Sequence, residues 1–273
     1  MKVLVAGASG FIGSQVAAAL RAAEHTVVPA DRRHGVDFNA MRSSEDWRPF
    51  LTGVDAAVNC VGIIGERRGQ RFAVLHREAP AALFRACAEA GVRRVVQISA
   101  LGADEHGFTP YQRTKLAADD VLRSLPLEWF VLRPSLVYGK GGASTAMFKR
   151  LAALPVIPLV GGGKQRVQPV HIDDLVAAVL RALTAEQACR TIDVVGPEAM
   201  TFREWLERLR ASAGKSAGAT LSVPLSLVTA VARLARHVTP VLHPDNLAML
   251  EQGNTADVEP FARFLGRMPR AVP

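Results

Sequence analysis

The chain has 273 residues, of which 49% are hydrophobic and 21% are charged, and its formal net charge at pH 7 is +8. This composition excludes a disordered chain, a collagen and a disulfide scaffold, and the length suits one large domain or one domain with a small lobe. The positive charge favours anionic partners such as nucleotide phosphates. Because no aromatic-rich basic stripe of the RNA-binding kind is present, we predict no nucleic-acid partner.

The first half of the sequence alternates short apolar runs with longer helical patterns. The predicted strands are 3–6, 26–30, 55–60, 94–98 and 129–132, and the predicted helices are 11–22, 72–90 and 111–124. This alternation is typical of βαβ units, and the near-continuous apolar strands indicate a parallel sheet covered on both faces. The sequence therefore predicts an α/β protein with a doubly wound parallel sheet.

The pattern changes after the fifth predicted strand. Proline and glycine clusters mark loops, and from Thr201 onward the chain reads mostly as helices, with an amphipathic candidate at 225–237. We predict a sheet domain over 1–133 and a smaller, mostly helical C-terminal substrate lobe over 134–273. Residues of about 165–195 are expected to return to the core of the first domain.

Cysteine, histidine and N-terminal patterns bear on the compartment and on metal chemistry. Cys60, Cys87 and Cys189 are far apart and form no C-x-x-C pair, which indicates reduced thiols in a reducing compartment. The N-terminus reads as a strand and a glycine loop, with no signal peptide, so we expect a cytoplasmic protein. The seven histidines show no metal-binding spacing, and we predict no catalytic metal.

The strongest local signal is the loop Gly7-Ala8-Ser9-Gly10-Phe11-Ile12-Gly13, which joins the first strand to the first helix. Its glycines permit a tight turn and a close approach of backbone N–H groups to a pyrophosphate, and the helix N-terminus adds partial positive charge. The spacing in this strand–turn–helix context predicts a Rossmann-type dinucleotide site. No Gly-Lys-Ser/Thr follows, so the loop is not a Walker loop.

Two signals at the end of the second strand conflict over the cofactor. Asp31 lies at the position where a carboxylate binds the ribose hydroxyls of NAD. Arg32 and Arg33 follow, and a guanidinium there can bind the 2′-phosphate of NADP. We predict NADP or NAD as the cofactor, with a slight preference for NADP.

These residues together resemble the short-chain dehydrogenase/reductase superfamily, and the resemblance spans nearly the whole chain. It is carried by the glycine loop, Asp31, the NCVG at 59–62, Ser99 and the YQRTK at 111–115. The sequences LRPSLVYG and QPVHIDD are similar to the extended and atypical branches of this superfamily. Within them, ISALGAD and PDNLAMLEQGN resemble bacterial relatives of the 39-kDa accessory subunit of NADH:ubiquinone oxidoreductase (complex I), as well as NAD-dependent epimerase/dehydratase proteins.

The resemblance implies cofactor contacts along the whole length of a bound dinucleotide. They are Gly7, Ser9, Gly10, Phe11, Ile12 and Gly13 at the pyrophosphate, Asp31 and Arg32 at the adenosine ribose, Asp37 and Phe38 at the adenine, Cys60, Val61 and Gly62 on the way to the nicotinamide, and Pro134 and Ser135 beside its amide.

Tyr111 and Lys115 are the catalytic candidates. Their i, i+4 spacing places both side chains on one face of a helix. A tyrosine is a poor acid–base at pH 7, and we expect the neighbouring ammonium to stabilise the phenolate and so lower its pKa. Lys115 can also bind the nicotinamide ribose, and Ser99 is expected to orient the substrate oxygen. The three residues could protonate a carbonyl while NAD(P)H gives hydride.

Three functions fit these patterns. The first is an NAD(P)-dependent oxidoreductase that acts on a small carbonyl or alcohol through Tyr–Lys acid–base catalysis. The second is a non-catalytic NAD(P)H-binding accessory or assembly subunit of a respiratory complex, with peripheral association with a membrane or that complex. The third is a nucleotide-sugar epimerase or dehydratase, which is disfavoured by the short segment between Ser99 and Tyr111. The sequence leaves the oligomeric state open.

Overall fold

A computed structural model of the protein describes residues 1–235 and 243–272. Within these ranges, six parallel strands form the central sheet: β1 (Lys2–Ala6), β2 (Thr26–Ala30), β3 (Ala56–Asn59), β4 (Arg94–Ile98), β5 (Glu128–Pro134) and β10 (Arg190–Val194). Their order across the sheet is β10-β5-β4-β3-β1-β2. The order reverses between β1 and β3, and ligands of open parallel sheets bind at such a reversal, beyond the carboxyl ends of the strands.

Helices cover both faces of this sheet. They are α1 (Phe11–Ala22), α2 (Ser44–Trp47), α3 (Ala79–Glu89), α4 (Pro110–Arg123) and α6 (Ile172–Thr184), with a π-helical turn at Ala73–Glu78 that leads into α3. Alternate residues of β1 show how the two cores are built. Val3 and Val5 pack into the core that contains residues of α1 and α6, and Leu4 packs on the other face with residues of α3 and α4. The predicted doubly wound α/β fold is therefore confirmed.

The second half of the chain forms the lobe and also completes the sheet domain. Its remaining elements are β6 (Val137–Tyr138), α5 (Ala143–Ala152), β7 (Val156–Val160), β8 (Arg166–Val167), β9 (Val170–His171), β11 (Met200–Thr201), α7 (Phe202–Ser212), β12 (Ala219–Val223), α8 (Leu225–Ala235), α9 (Pro244–Gln252) and α10 (Glu259–Leu265). Within the segment predicted to return, α6 packs on α1 and β10 pairs in parallel with β5. The helix α10 also packs against α6 and β10, a return that the sequence did not predict.

Aromatic rings form the centre of the lobe. Phe148 of α5 packs against Phe202 and Trp205 of α7, with ring centroids 5.6 and 4.8 Å away. The lobe contains more strand than predicted, because β12 pairs in parallel with β7 where only helices and turns were expected. The predicted helix 225–237 corresponds to α8, and its last two residues lie outside the described part of the chain.

Candidate active site

The carboxyl ends of the central strands open into a cavity of about 590 Å³, which the lobe closes on its other side. This volume lies in the range of about 300–1,000 Å³ that small-molecule sites occupy. The cavity brings together many of the predicted site residues. Those that line it are Gly10, Phe11, Ile12, Cys60, Val61, Gly62, Ser99, Tyr111, Lys115, Pro134 and Ser135.

The glycine loop has the geometry of an anion cradle. Gly7 has a φ of +79°, and a Cβ atom on Gly13 would overlap the carbonyl oxygen of Gly7, so α1 can lie against the loop only because both residues are glycine. The first turn of α1 has no acidic residue, and its N-cap, Gly10, makes no side-chain cap. The backbone donors at this helix N-terminus therefore fit a pyrophosphate.

Asp31 is buried at the end of β2 and holds the turn that follows. Its Oδ1 accepts hydrogen bonds from the backbone N–H of Arg33 at 2.8 Å and of His34 at 3.2 Å, and it lies 2.8 Å from Nδ1 of the His34 ring. Burial alone would raise the pKa of Asp31, but these hydrogen bonds and the His34 ring hold it below its usual value. Arg32 is exposed in the same turn. A buried carboxylate and an exposed guanidinium thus belong to consecutive residues of this turn.

The other predicted residues of the adenosine end lie apart from the cavity lining. The exposed Asp37 accepts hydrogen bonds from the backbone and side chain of Asn39 at 3.1 and 3.0 Å. The Phe38 ring is buried in the core, with its centroid 5.9 Å from that of Trp47. Phe38 could therefore offer an adenine little beyond its backbone. Ser9 is exposed at the glycine loop.

A capping box fixes the start of α4 and thereby the face that α4 turns inward. The Thr109 hydroxyl accepts from the Gln112 backbone N–H at 3.2 Å, and the Gln112 side chain accepts from the Thr109 backbone N–H at 3.2 Å. Tyr111, Lys115 and Asp119 follow one another at intervals of four residues on this helix. Tyr111 and Lys115 line the cavity, while Asp119 is fully buried behind them.

Lys115 is held by the ends of the neighbouring strands. Its Nζ donates hydrogen bonds to the carbonyl oxygens of Ile98 at 2.9 Å and Val61 at 3.2 Å. Burial lowers the pKa of Lys115 to about 8, although the negative charge of Asp119 opposes this change. The side chain is therefore mostly an ammonium ion at pH 7, and it becomes mostly neutral above about pH 8.

The Tyr111 phenol differs from the sequence-based expectation. Its ring makes edge contacts with Phe72 and His76, at centroid distances of 5.7 and 5.1 Å. Burial raises the pKa of Tyr111 to about 12, whereas Lys115 was expected to lower it. The expectation was wrong because the carbonyls of the strand ends engage the ammonium and because packed rings desolvate the phenol. The phenol is thus neutral at pH 7, which is the form that donates a proton.

Ser99 is directed towards Asp119. Its hydroxyl donates to the Asp119 Oδ2 at 2.5 Å, and both side chains are buried. Burial raises the pKa of Asp119 to about 6, against the lowering effects of Ser99 and Lys115. Since a serine hydroxyl has a single proton, this bond leaves Ser99 able to accept, but not to donate, a hydrogen bond at the cavity. That geometry differs from the predicted role of orienting a substrate oxygen.

Two further groups lie beside the first turns of α4 and were not predicted from the sequence. His76 is buried in the π-helical turn, and its Nε2 accepts from the Ile63 backbone N–H at 3.0 Å. Burial keeps the pKa of His76 well below its usual value, so the ring is neutral. The second group is Asp245 of α9, whose pKa is raised by burial, against the lowering effects of His243 and of the backbone N–H of Tyr111. Neither contact leaves a sequence signal, because the partners are far apart in the chain. Asp119, by contrast, could have been found by extending the i, i+4 spacing by one turn.

The described ranges contain neither a candidate metal site nor a candidate membrane span. No group of three or more His, Cys, Asp or Glu side chains among the residues that the structure describes is placed to hold a metal ion. No helix in this part of the chain is both long enough and apolar enough to cross a membrane.

The fold and the cavity together define a Rossmann-type protein of the short-chain dehydrogenase/reductase kind. The model of the NAD dependent epimerase/dehydratase family matches residues 3–195, and the chain belongs to this family. Among solved structures, human epimerase family protein SDR39U1 with NADPH superposes with a TM-score of 0.75 at 21% identity, covering 97% of this chain and 93% of the human one. MoeE5 in complex with UDP-glucose and NAD gives a TM-score of 0.75 at 23% identity, with coverage of 99% and 94%.

The complex I resemblance is also confirmed as a sequence similarity. An Arabidopsis thaliana protein named NADH dehydrogenase [ubiquinone] 1 alpha subcomplex subunit 9, mitochondrial, is 28% identical over 226 residues, which is 74% of this chain and 56% of that protein. The curated relatives that the chain matches differ greatly in length. The matched regions span from 26% to 76% of the relatives' own lengths.

Proposed function

We propose that this chain is an NAD(P)H-dependent reductase of the short-chain dehydrogenase/reductase type that acts on a carbonyl substrate. One observation carries the proposal. Tyr111 and Lys115, from one face of α4, line the same cavity as Gly10 and Phe11 at the start of α1. A proton donor, a cation and an anion cradle therefore meet at one place.

The residues fit a nicotinamide dinucleotide. The glycine loop and the first turn of α1 would hold its pyrophosphate, and Pro134 and Ser135 would lie beside its nicotinamide. When bound in reduced form, the dinucleotide would supply the hydride that adds to the substrate's carbonyl carbon, and it would leave in oxidised form. Lys115 would keep its positive charge close to the cofactor ribose at neutral pH.

Tyr111 supplies the proton in this proposal. As the carbonyl carbon becomes tetrahedral, the electron pair of the C=O bond moves to oxygen, which takes the phenol proton. The raised pKa of Tyr111, about 12, keeps the phenol protonated at neutral pH and favours reduction. The transfer leaves a phenolate, which burial disfavours, so Tyr111 regains a proton from water before the next turnover. Ser99 acts on this pair through Asp119, as a positioning residue.

The turn after β2 favours NADP over NAD in this proposal. The described contacts of the Asp31 carboxylate fall on Oδ1 and cap the turn. The exposed Arg32 is then available to a 2′-phosphate, with the basic side chains of Arg33 and His34 next to it. The Asp31 charge opposes such a phosphate, so the preference is expected to be modest.

The test is a calorimetric titration of nucleotide-free protein with NADPH and then NADH, followed by an assay of NADPH oxidation with simple ketones. The proposal expects micromolar binding of NADPH, weaker binding of NADH and measurable ketone reduction. If neither nucleotide binds below millimolar concentration, the proposal fails.

A second candidate is a cofactor-binding subunit without turnover. The Arabidopsis relative is named as a complex I subunit, and the bond between Ser99 and Asp119 removes a donor that a reductase would use on its substrate. This candidate expects tight NADPH binding, no oxidation of NADPH with any ketone, and co-purification with membrane-bound respiratory subunits. Tight binding together with ketone reduction would exclude it.

A further inference from the structure

The part of the cavity wall that comes from the lobe is almost wholly apolar. It is built by α5, β7, β12, α8 and α9. Its apolar side chains include Met147, Leu151, Val160, Val223, Met249 and Leu250. The polar side chains on this wall, Ser144, Asn246 and Asn254, carry no charge. Of the described residues that line the cavity, Lys115 alone is charged at neutral pH.

The described part of this wall offers no charged partner for the diphosphate of a nucleotide sugar. A diphosphate carries negative charge that must be paired with cations or several N–H donors when it leaves water. The Lys115 ammonium already donates to the carbonyls of Ile98, at the end of β4, and of Val61, just beyond the end of β3. Arginine, histidine and other lysine side chains do not line the cavity in the described part of the chain.

We propose that the substrate is a lipophilic carbonyl compound whose aliphatic chain lies along this apolar wall, with its C=O group at Tyr111. The proposal rests on the proposed reductase function and names its substrate class. An aliphatic chain gains free energy from every methylene that it removes from water, whereas a short polar carbonyl gains little from the same wall. The cavity should therefore select substrates by chain length.

The test measures binding apart from turnover. Protein saturated with NADP⁺, which has no hydride to give, is titrated calorimetrically with butan-2-one, hexan-2-one, octan-2-one and decan-2-one, and separately with UDP-glucose. We expect Kd to fall about fourfold for each added methylene, and UDP-glucose to show no binding at millimolar concentration. A flat series, or UDP-glucose binding tighter than octan-2-one, would overturn the proposal.

A matched pair of variants tests whether the aliphatic chain of the substrate lies along the apolar wall. Met249→Arg places a charge on the cavity wall, whereas Leu227→Arg places the same charge at a position that is 57% exposed and outside the lining. We expect Met249→Arg to raise the Kd of decan-2-one at least thirtyfold, with the Kd of NADPH unchanged within twofold, and Leu227→Arg to change neither. If Met249→Arg does not fold, Met147→Arg on α5 makes the same test. An unchanged decan-2-one Kd in the folded cavity variant contradicts the proposal.

The outcomes separate this inference from the proposed function. Equal NADPH-dependent reduction of butan-2-one and decan-2-one would refute the substrate class and leave the reductase intact. Length-dependent binding of the ketones without any reduction would refute the reductase and leave the lipophilic ligand in place.

Discussion

The two walls of the cavity differ in the chemistry of their side chains. The wall formed by the strand ends and α4 holds buried ionisable groups, with the pKa of Lys115 lowered to about 8 and those of Tyr111 and Asp119 raised to about 12 and 6. The wall formed by the lobe holds aliphatic and thioether side chains. Burying a charged group costs free energy unless the group has charged or hydrogen-bonding partners. An apolar surface, by contrast, accepts apolar groups of different shapes. The comparison separates the buried ionisable groups, which lie on the sheet domain, from the apolar side chains, which lie on the lobe.

The largest expected effect is the loss of the proton donor on the first wall. Tyr111→Phe should lower kcat for ketone reduction by about 10²–10⁴-fold, because the substrate oxygen loses its acid, and it should leave NADPH binding unchanged within about threefold. The matched control is Tyr138→Phe, since the Tyr138 hydroxyl bonds the Ala271 carbonyl in the lobe. Steady-state kinetics and calorimetry on both variants make the measurement. Equal losses in the two variants would contradict the assignment of the acid.

The next effect is on stability and concerns the buried ammonium. The folded pKa of Lys115, about 8, lies below its ordinary value of 10.5. The unfolded chain therefore binds this proton more tightly, and the lysine's contribution to stability is present above pH 10.5 and lost as the pH falls through about 8. The difference of 2.5 units corresponds to about 3 kcal/mol at 1.36 kcal/mol per unit.

This prediction is measured as the difference in free energy of unfolding between the wild type and the double variant Lys115→Met/Asp119→Asn, from pH 7.5 to 10.5. Asp119 is already ionised in the wild type across this range, so Lys115 dominates the change. The wild type should gain on the double variant as the pH rises. The control is Lys149→Met, on the exposed surface of α5. The difference in free energy of unfolding between the wild type and this variant should not change with pH. A parallel course for wild type and double variant would show that Lys115 is not desolvated.

The first wall was largely readable from the sequence and the second was not. The glycine loop, the continuous apolar strands and the Tyr111–Lys115 spacing are local patterns, and each follows from the chain's own periodicity. The bond from Ser99 to Asp119 and the strand pairing of β12 with β7 join distant residues, so periodicity does not report them. The lowered pKa predicted for Tyr111 failed for the same reason, since desolvation depends on rings that come from elsewhere in the fold.

A smaller effect is expected at the turn after β2, which lies outside the cavity lining. Arg32→Ala should raise the Kd of NADPH about tenfold and that of NADH less than twofold, because a charge-assisted hydrogen bond to phosphate is worth a few kcal/mol at most and Arg32 is exposed. Arg21→Ala, an exposed arginine in the last turn of α1, is the control. Calorimetry at two salt concentrations checks the result. A larger loss of NADH than of NADPH would reverse the proposed preference.

The smallest effect should come from Ser99. If its hydroxyl serves Asp119 and not the substrate, Ser99→Ala removes a hydrogen bond that lowers the pKa of Asp119, so that pKa should rise further above its ordinary value of 3.8. Protonation of Asp119 then begins at a higher pH and removes the charge that supports the Lys115 ammonium. We expect kcat to fall less than tenfold above pH 7 and increasingly as the pH is lowered.

A direct role for Ser99 would give a different profile. If Ser99 donated to the substrate oxygen, Ser99→Ala would lower kcat by a further factor of about 10 to 100 at every pH, because the lost hydrogen bond would be made in the transition state. Ser124→Ala is the control, since that exposed hydroxyl bonds the Val121 carbonyl at 2.8 Å at the far end of α4. The pH profile of kcat thus separates a serine that supports the buried charges of the first wall from one that touches the substrate.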